Sequence, residues 1–175
     1  MKTLEFKNYD LKITLTPFIN IVGTIGSGKT KLLKTLINKL NSNAIYLDEK
    51  PIATYDIDFL RKNIAAVLQT HEFKTNYVKE ELLYYQKIIN ISDEAAYKNI
   101  ENFVKFFNLE NIIESKIDYL TIYEKAYIKI LSLLIIRPSI FGIDDMLTYL
   151  NLDQKILEQI IKERDERLKA RAKRS

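Results

Sequence analysis

The sequence contains no cysteine, one histidine, four glycines and three prolines in 175 residues. Without cysteine there are no disulfides, no thiolate metal sites and no cysteine nucleophile. With His71 as the lone histidine, a multi-histidine metal centre within one chain is excluded. So little glycine and proline excludes repeats built on either residue. Long apolar runs are missing too. The strongest, 128–136, is interrupted by Lys129 and Ser132 and falls far short of the roughly 20 residues of a membrane span. The opening MKTLEFKNYD carries Glu5 and does not read as a secretory signal, so a cytoplasmic chain is expected. What is present is a globular balance, 47% apolar and 29% charged, on a chain long enough to bury a core.

The net charge of +4 is not spread evenly. Residues 162–175, KERDERLKARAKRS, hold 7 basic and 3 acidic side chains, which leaves 1–161 balanced at 20 against 20. A nucleic-acid-binding protein ordinarily shows a broad basic face. Here the excess belongs to one segment, which reads as a solvated end, so nucleic acid is not the expected partner.

Residues 4–22 read as strands: LEFKNY and LKITLT alternate, and FINIV is a short apolar run ending in glycine. KTKLLKTLINKL, 29–40, places Leu32, Leu33, Leu36, Ile37 and Leu40 at helical spacing. AIYL, 44–47, is another strand, DEKP a turn, and IAAVL, 64–68, a buried strand ending at Gln69. From 76 to 118 the pattern is helical. Ser92 is placed to cap a helix whose face carries Ala96, Ile100, Phe103, Val104 and Phe107. A helix at 122–136, a strand SIFGI before Asp144-Asp145, and a last helix at 152–172 complete the pattern. The expected organisation is a nucleotide-binding lobe of 1–75 and 119–175 with an inserted helical subdomain, 76–118.

Residues 23–30, GTIGSGKT, match the Walker A pattern in the required setting, apolar strand before and amphipathic helix after. Gly23, Gly26 and Gly28 let the backbone curl so that amides, including those of Thr24 and Ser27, face phosphate oxygens. The helix that follows adds its positive end. Lys29 is expected to reach the β- and γ-phosphates and Thr30 to offer its hydroxyl to Mg²⁺. SIFGIDD, 139–145, fits the second half of such a site. Asp144 ends an apolar strand where a carboxylate can bind the magnesium water shell, and Asp145 is placed to orient an attacking water. The ligand set implied is ATP with Mg²⁺.

With those motifs in order, the chain resembles an ATP-binding cassette (ABC) ATPase domain, closest in flavour to energy-coupling-factor and other transporter ATPases. GTIGSGKTKLLKTL is similar to the phosphate loop and first helix of that family. NIAAVLQ is similar to its strand into the Q-loop, NYVKEELLYY to the opening of its helical subdomain, and LTIYEKAYIKILSLLIIRPSIFGIDD to its run from signature to Walker B. The resemblance implies an α/β P-loop fold with an ABC-type central sheet and an inserted helical subdomain. It implies that Gln69 senses the γ-phosphate, Mg²⁺ and the partner subunit, and that an early-strand aromatic stacks on adenine. Phe6 and Tyr9 are the candidates for that stacking, and either is equally suited to the sheet core. The partners implied are a second ATPase subunit or a second copy and a membrane transport subunit, with the chain peripheral at the inner face.

The departures are specific. Where the family signature has a serine and two glycines, this chain has Leu120-Thr121-Ile122-Tyr123-Glu124. Asp145 is one methylene shorter than the family's glutamate, Asn151 stands at an aspartate position, and His71 is not at the place of the switch histidine. The expectation is an ATP-binding subunit with weak or no intrinsic hydrolysis. Two other readings compete. One is a P-loop ATPase or regulator acting on nucleic acid through 162–175. The other is a small-molecule P-loop kinase, against which stands the scarcity of arginine between the two motifs, Arg61 and Arg137 only.

Overall fold

The computed structural model describes residues 3–15, 21, 24, 26–38, 43–68, 70–144 and 162. Apart from Ile21 and Lys162, the strand expected at 18–22 and the helix expected at 152–172 lie outside the described residues. So do Gly23, Gln69, Asp145 and Asn151. The chain divides into two compact units, one of residues 1–60 and 151–175 and one of residues 61–150.

The first unit is built on four antiparallel strands. Strands β1 (Thr3–Phe6), β2 (Leu11–Thr14), β3 (Ile45–Leu47) and β4 (Lys50–Pro51) lie in the order β2-β1-β3-β4. The alternation in LEF puts Leu4 and Phe6 on the covered face. Leu4 pairs with Leu47 and Phe6 with Ile45, and all four side chains are buried. Removing each from water contributes about 1.5–3 kcal/mol. The turn between β1 and β2 is a short 3-10 segment, Lys7–Tyr9, closed by Asp10 in the left-handed region at φ 48°. Aspartate tolerates that conformation because its short polar side chain bonds locally. Helix α1 (Lys29–Asn38) buries Leu32 and Leu36, as its apolar spacing predicts.

One turn differs from expectation. DEKP as a whole was expected to be a turn, but only Asp48 and Glu49 form it, at φ 51° and 65°, while Lys50 and Pro51 pair with Leu47 and Tyr46. A two-residue loop with both residues at positive φ matches the twist of the strands it joins, which draws the flanking residues into the ladder. Asp48 is tied down further: its Oδ1 accepts the Thr3 amide at 2.8 Å.

The second unit has helices around a two-stranded parallel sheet. Helix α2 (Ile57–Asn63), which no sequence pattern announced, leads across the boundary into β5 (Ile64–Val67). Helices α3 (Val78–Ile88), α4 (Asp93–Phe107) and α5 (Ile122–Leu134) precede β6 (Ile140–Ile143). All four β5 residues are buried, as expected of a parallel strand covered on both faces. Strand β6 pairs with it in register from Ile64↔Ile140 to Val67↔Ile143.

Helix α4 begins where Ser92 Oγ accepts the Ala95 amide, and it ends at Asn108 in the left-handed region. Its face of Ala96, Ile100, Phe103 and Phe107 is buried, with Val104 half-buried at the edge. Helix α4 packs on α3, and α5 packs on both α3 and β5. A polar relay runs through this packing. Arg137 Nη2 donates to Asn99 Oδ1 at 3.0 Å, and Asn99 Nδ2 donates to the buried Gln86 Oε1 at 2.9 Å. Among the described residues, no helix is long and apolar enough to cross a membrane.

Candidate functional site

The phosphate loop belongs to the first unit. Gly26 and Gly28 have φ of +83° and +93°. A Cβ added at either would meet nothing within 4 Å, so the requirement for glycine is conformational and not steric crowding. The Ser27 amide donates to Thr24 O at 3.1 Å, which tightens the curl. Helical bonding begins at once, with the Leu32 amide on Gly28 O at 2.9 Å. Thr24 and Ser27 are exposed, while Lys29 and Thr30 are half-buried in the first turn of α1.

The Lys29 ammonium folds over its own loop, 3.0 Å from Thr24 O and 3.4 Å from Ser27 Oγ. A cation bridging a loop carbonyl and a loop hydroxyl, beside a helix start whose amides lack intrahelical partners, is a donor set suited to phosphate oxygens. Residues of this kind fit the polyphosphate of a nucleotide. Thr30 adds a hydroxyl of the kind a hard divalent cation accepts as ligand.

The two candidate aromatics for adenine are not equivalent. Phe6 is 2% exposed and lies in the interior of the sheet, edge-on to Tyr9 at 6.4 Å between ring centroids. Tyr9 is half-buried, and its hydroxyl lies 3.1 Å from Thr35 Oγ1 of α1. Of the two, only Tyr9 retains a partly accessible ring.

Within the second unit two strand ends lie together. The Asp144 amide donates to Val67 O at 2.9 Å, extending the β5–β6 pairing by one bond. The chain leaving β5 toward position 69 and the chain leaving β6 at Asp144 therefore emerge side by side. In parallel α/β sheets, ligands gather at this carboxyl end. Asp144 is 2% exposed.

Two features escaped the sequence reading. The first is at the start of α5. Thr121 Oγ1 accepts the Glu124 amide, while Glu124 Oε2 accepts the Thr121 amide at 2.8 Å and hydroxyl at 2.7 Å. These bonds from Thr121 hold the Glu124 carboxyl below its usual range. T-I-Y-E is a capping-box pattern and was legible as one. The flanking Tyr119, Ile122 and Tyr123 are exposed, at 80%, 75% and 57%.

The second is Glu81, a fully buried acid on α3. Its Oε2 accepts the amides of Lys74 and Thr75, both at 2.9 Å, and the Thr75 hydroxyl at 3.0 Å. One turn further along, Tyr85 Oη is 2.8 Å from His71 Nε2. Burial, with Lys129 and Lys74 nearby, lowers His71 to about 4, so the ring is neutral at pH 7. Burial likewise raises the Tyr85 phenol well above its ordinary value. Nothing in a helical periodicity announces a buried acidic side chain.

Residues 6–148 match the model of the ABC transporter family. The chain is similar to the energy-coupling factor transporter ATP-binding protein EcfA of Aster yellows witches'-broom phytoplasma. Identity is 25% over 163 residues, covering 88% of this chain and 60% of that protein. It is also similar to the spermidine/putrescine import ATP-binding protein PotA of Fusobacterium nucleatum, 25% identical over 162 residues that cover 91% of this chain and 42% of that one. The chain thus spans less than two thirds of the length of these relatives. Among solved structures it resembles cbiO1 from Clostridium perfringens, described as part of the ABC transporter complex cbiONQ. The TM-score is 0.73 at 20% identity, covering 94% of this chain and 74% of that one, and the shared feature is the α/β fold.

Proposed function

The chain belongs to the ABC transporter family, and we propose from that premise that it is an MgATP-binding subunit of a transporter or ATPase complex with weak or no hydrolysis of its own. The observation that carries this reading is the phosphate loop: Gly26 and Gly28 at positive φ, leading directly into α1 with Lys29 turned over the loop. On ATP binding, the Lys29 ammonium exchanges Thr24 O and Ser27 Oγ for the β- and γ-phosphates. The amides of 23–28 take the remaining oxygens, and Tyr9 stacks on adenine. Thr30, Asp144 and Gln69 are the residues suited to hold magnesium, which when bound neutralises phosphate charge.

Weak hydrolysis is supported by Asp145, whose carboxylate reaches less far toward a water than a glutamate. It is also supported by the signature position. Ile122 and Tyr123 carry exposed side chains where close backbone approach to a nucleotide needs glycine. The N-terminus of α5, already satisfied by Thr121 and Glu124, presents a carboxylate where an anion would have to sit. The proposed assembly pairs this chain's intact phosphate loop with a more complete signature from a second ATPase subunit, alongside a membrane transport subunit.

The test is calorimetric titration with ATP and Mg²⁺ together with phosphate release, on the chain alone and with candidate subunits. Tight binding with little release alone is the expected result. Absence of nucleotide binding overturns the reading, and fast release by the isolated chain overturns its second half.

A further inference from the structure

Taking a polar group out of water is unfavourable unless it is hydrogen-bonded, and acidic side chains on helices ordinarily stay solvated. Glu81, in the first turn of α3, is instead buried completely. Its Oε2 accepts three donors of the preceding segment: the amides of Lys74 and Thr75, both at 2.9 Å, and the Thr75 hydroxyl at 3.0 Å. Its Oε1 is buried with no hydrogen-bond partner among the described residues. One oxygen thus holds the segment while the other bears the cost of being buried unsatisfied.

Residues 71–75 belong to no helix or strand, and side chains of the helices hold them. Tyr85, one turn after Glu81 on α3, places its Oη 2.8 Å from His71 Nε2. Lys129 of α5 lies over the Phe73 ring, 5.3 Å from its centre. The flanks are fixed differently, by the main chain. Before the segment, all four residues of β5 pair with β6, and the His71 amide donates to Leu68 O at 3.0 Å. After it, the Ile117 amide donates to Asn76 O at 2.9 Å, the Val78 amide to Ser115 O at 3.2 Å and the Lys79 amide to Ile113 O at 3.1 Å. The ends are pinned by backbone bonds and the middle by side chains. All of these residues lie in the second unit.

We infer that residues 71–75 are a strap, closed over α3 by Glu81 and Tyr85, that opens as one body while the strands and helices around it stay folded. Its anchors fall within five residues, and a single oxygen holds two successive amides, so releasing one anchor loosens the rest. Opening requires no ladder or helix bond to break, which sets it below global unfolding in free energy. It also brings both Glu81 oxygens into water, so an acidic side chain hidden in the closed chain becomes exposed. The inference stands apart from the nucleotide reading above.

The experiment uses the full chain as wild type, Glu81→Ala and Tyr85→Phe. Amide exchange is followed in graded urea below the unfolding transition, and Glu81 is labelled with a water-soluble carbodiimide and an amine, read by peptide mass spectrometry. In the wild type, Lys74 and Thr75 are expected to exchange through one shared opening, faster and with a weaker urea dependence than the β5 amides. Tyr85→Phe removes the bond to His71 and touches neither amide. It is nevertheless expected to quicken exchange at both Lys74 and Thr75, and labelling of Glu81, by about 2- to 13-fold, the range of one lost hydrogen bond. Glu81→Ala removes three bonds and is expected to quicken both amides together and by more. The β5 amides are expected to be unchanged in both variants. Exchange of Lys74 and Thr75 only through global unfolding overturns the inference. So does a Tyr85→Phe variant in which those amides and the Glu81 labelling keep wild-type rates, since the anchors would then act independently. Tyr85→Phe retains the ring and its packing, so with the wild type it decides the matter if Glu81→Ala does not fold.

Discussion

Lys29 sits 3.0 Å from a carbonyl of its own loop, so its charge already has an oxygen partner before any phosphate arrives. ATP must replace that contact with better ones, and a charge-assisted hydrogen bond is worth about 1.5–3 kcal/mol. Lys29→Ala is therefore expected to weaken ATP binding roughly 10- to 150-fold while leaving the backbone curl intact. Asp145→Asn is expected to leave ATP affinity nearly unchanged, because the side chain would act on water and not on the nucleotide. Titration of both variants separates the two roles, and a comparable loss in Asp145→Asn would place that residue in binding instead. Asp145→Glu restores the longer reach but not the glycines absent at 122 and 123. It is expected to raise phosphate release slightly or not at all, and a large gain would make side-chain length at 145 the one defect.

His71 gives a second prediction at this scale. Burial holds its folded-state value near 4, against about 6.5 in an unfolded chain. Between those values the unfolded chain binds more protons at this position than the folded one. Stability therefore falls as pH drops through the window from 6.5 to 4, and the residue adds no pH dependence above it. His71→Gln removes the titration. Urea unfolding is expected to show a shallower pH dependence for the variant between 6.5 and 4, and no change in slope between 7 and 8. Equal slopes in the lower window would show that the ring is hydrated in the folded protein.

At the scale of elements, the caps decide where helices start. Ser92 and Thr121 each accept an amide of the first turn, a contact worth about 0.5–2 kcal/mol. Ser92→Ala and Thr121→Ala are each expected to destabilise by about 1 kcal/mol in urea melts, with Thr121→Ser restoring most of the loss. A neutral Thr121→Ala would mean that Glu124 alone secures the start of α5.

These elements also show what could be read from residues alone. Helix α4 was legible from end to end, because its cap, its acidic first turn and its apolar face all lie within one stretch of chain. The phosphate loop was legible because three of the four glycines fall in eight residues. Glu81 was not, since a charge at a helix position is normally solvated, and only the return of Lys74 and Thr75 to α3 makes it a buried acceptor. Phe6 and Tyr9 were not separable either. The pairing of Phe6 with Ile45 across 39 residues of chain is what buries one ring and leaves the other at the turn. Helix α2 has 7 residues, too few for a periodicity to register.

At the scale of the whole molecule, charge placement distinguishes the competing roles. The body, residues 1–161, is electrically balanced, so long-range steering toward a polyanion must come from 162–175. If that segment were a nucleic-acid contact using all 7 of its basic residues, binding would weaken with salt at a logarithmic slope of about −6 on duplex DNA. A solvated end gives only weak association, lost at physiological ionic strength. The combined variant Lys169→Gln, Arg171→Gln, Lys173→Gln and Arg174→Gln removes four positive charges and brings the net charge from +4 to zero. The expected outcome is that wild type binds oligonucleotides weakly at 50 mM salt and not measurably at 150 mM, and that the variant does not bind at either. ATP affinity should be the same in both proteins, since these side chains take no part in the proposed phosphate site. Tight binding at 150 mM with a steep salt slope, abolished in the variant, would move the chain from a transport subunit to a nucleic-acid-linked ATPase. Binding that survived in the variant would mean that the balanced body carries a basic face of its own, compensated by acidic side chains elsewhere on the surface.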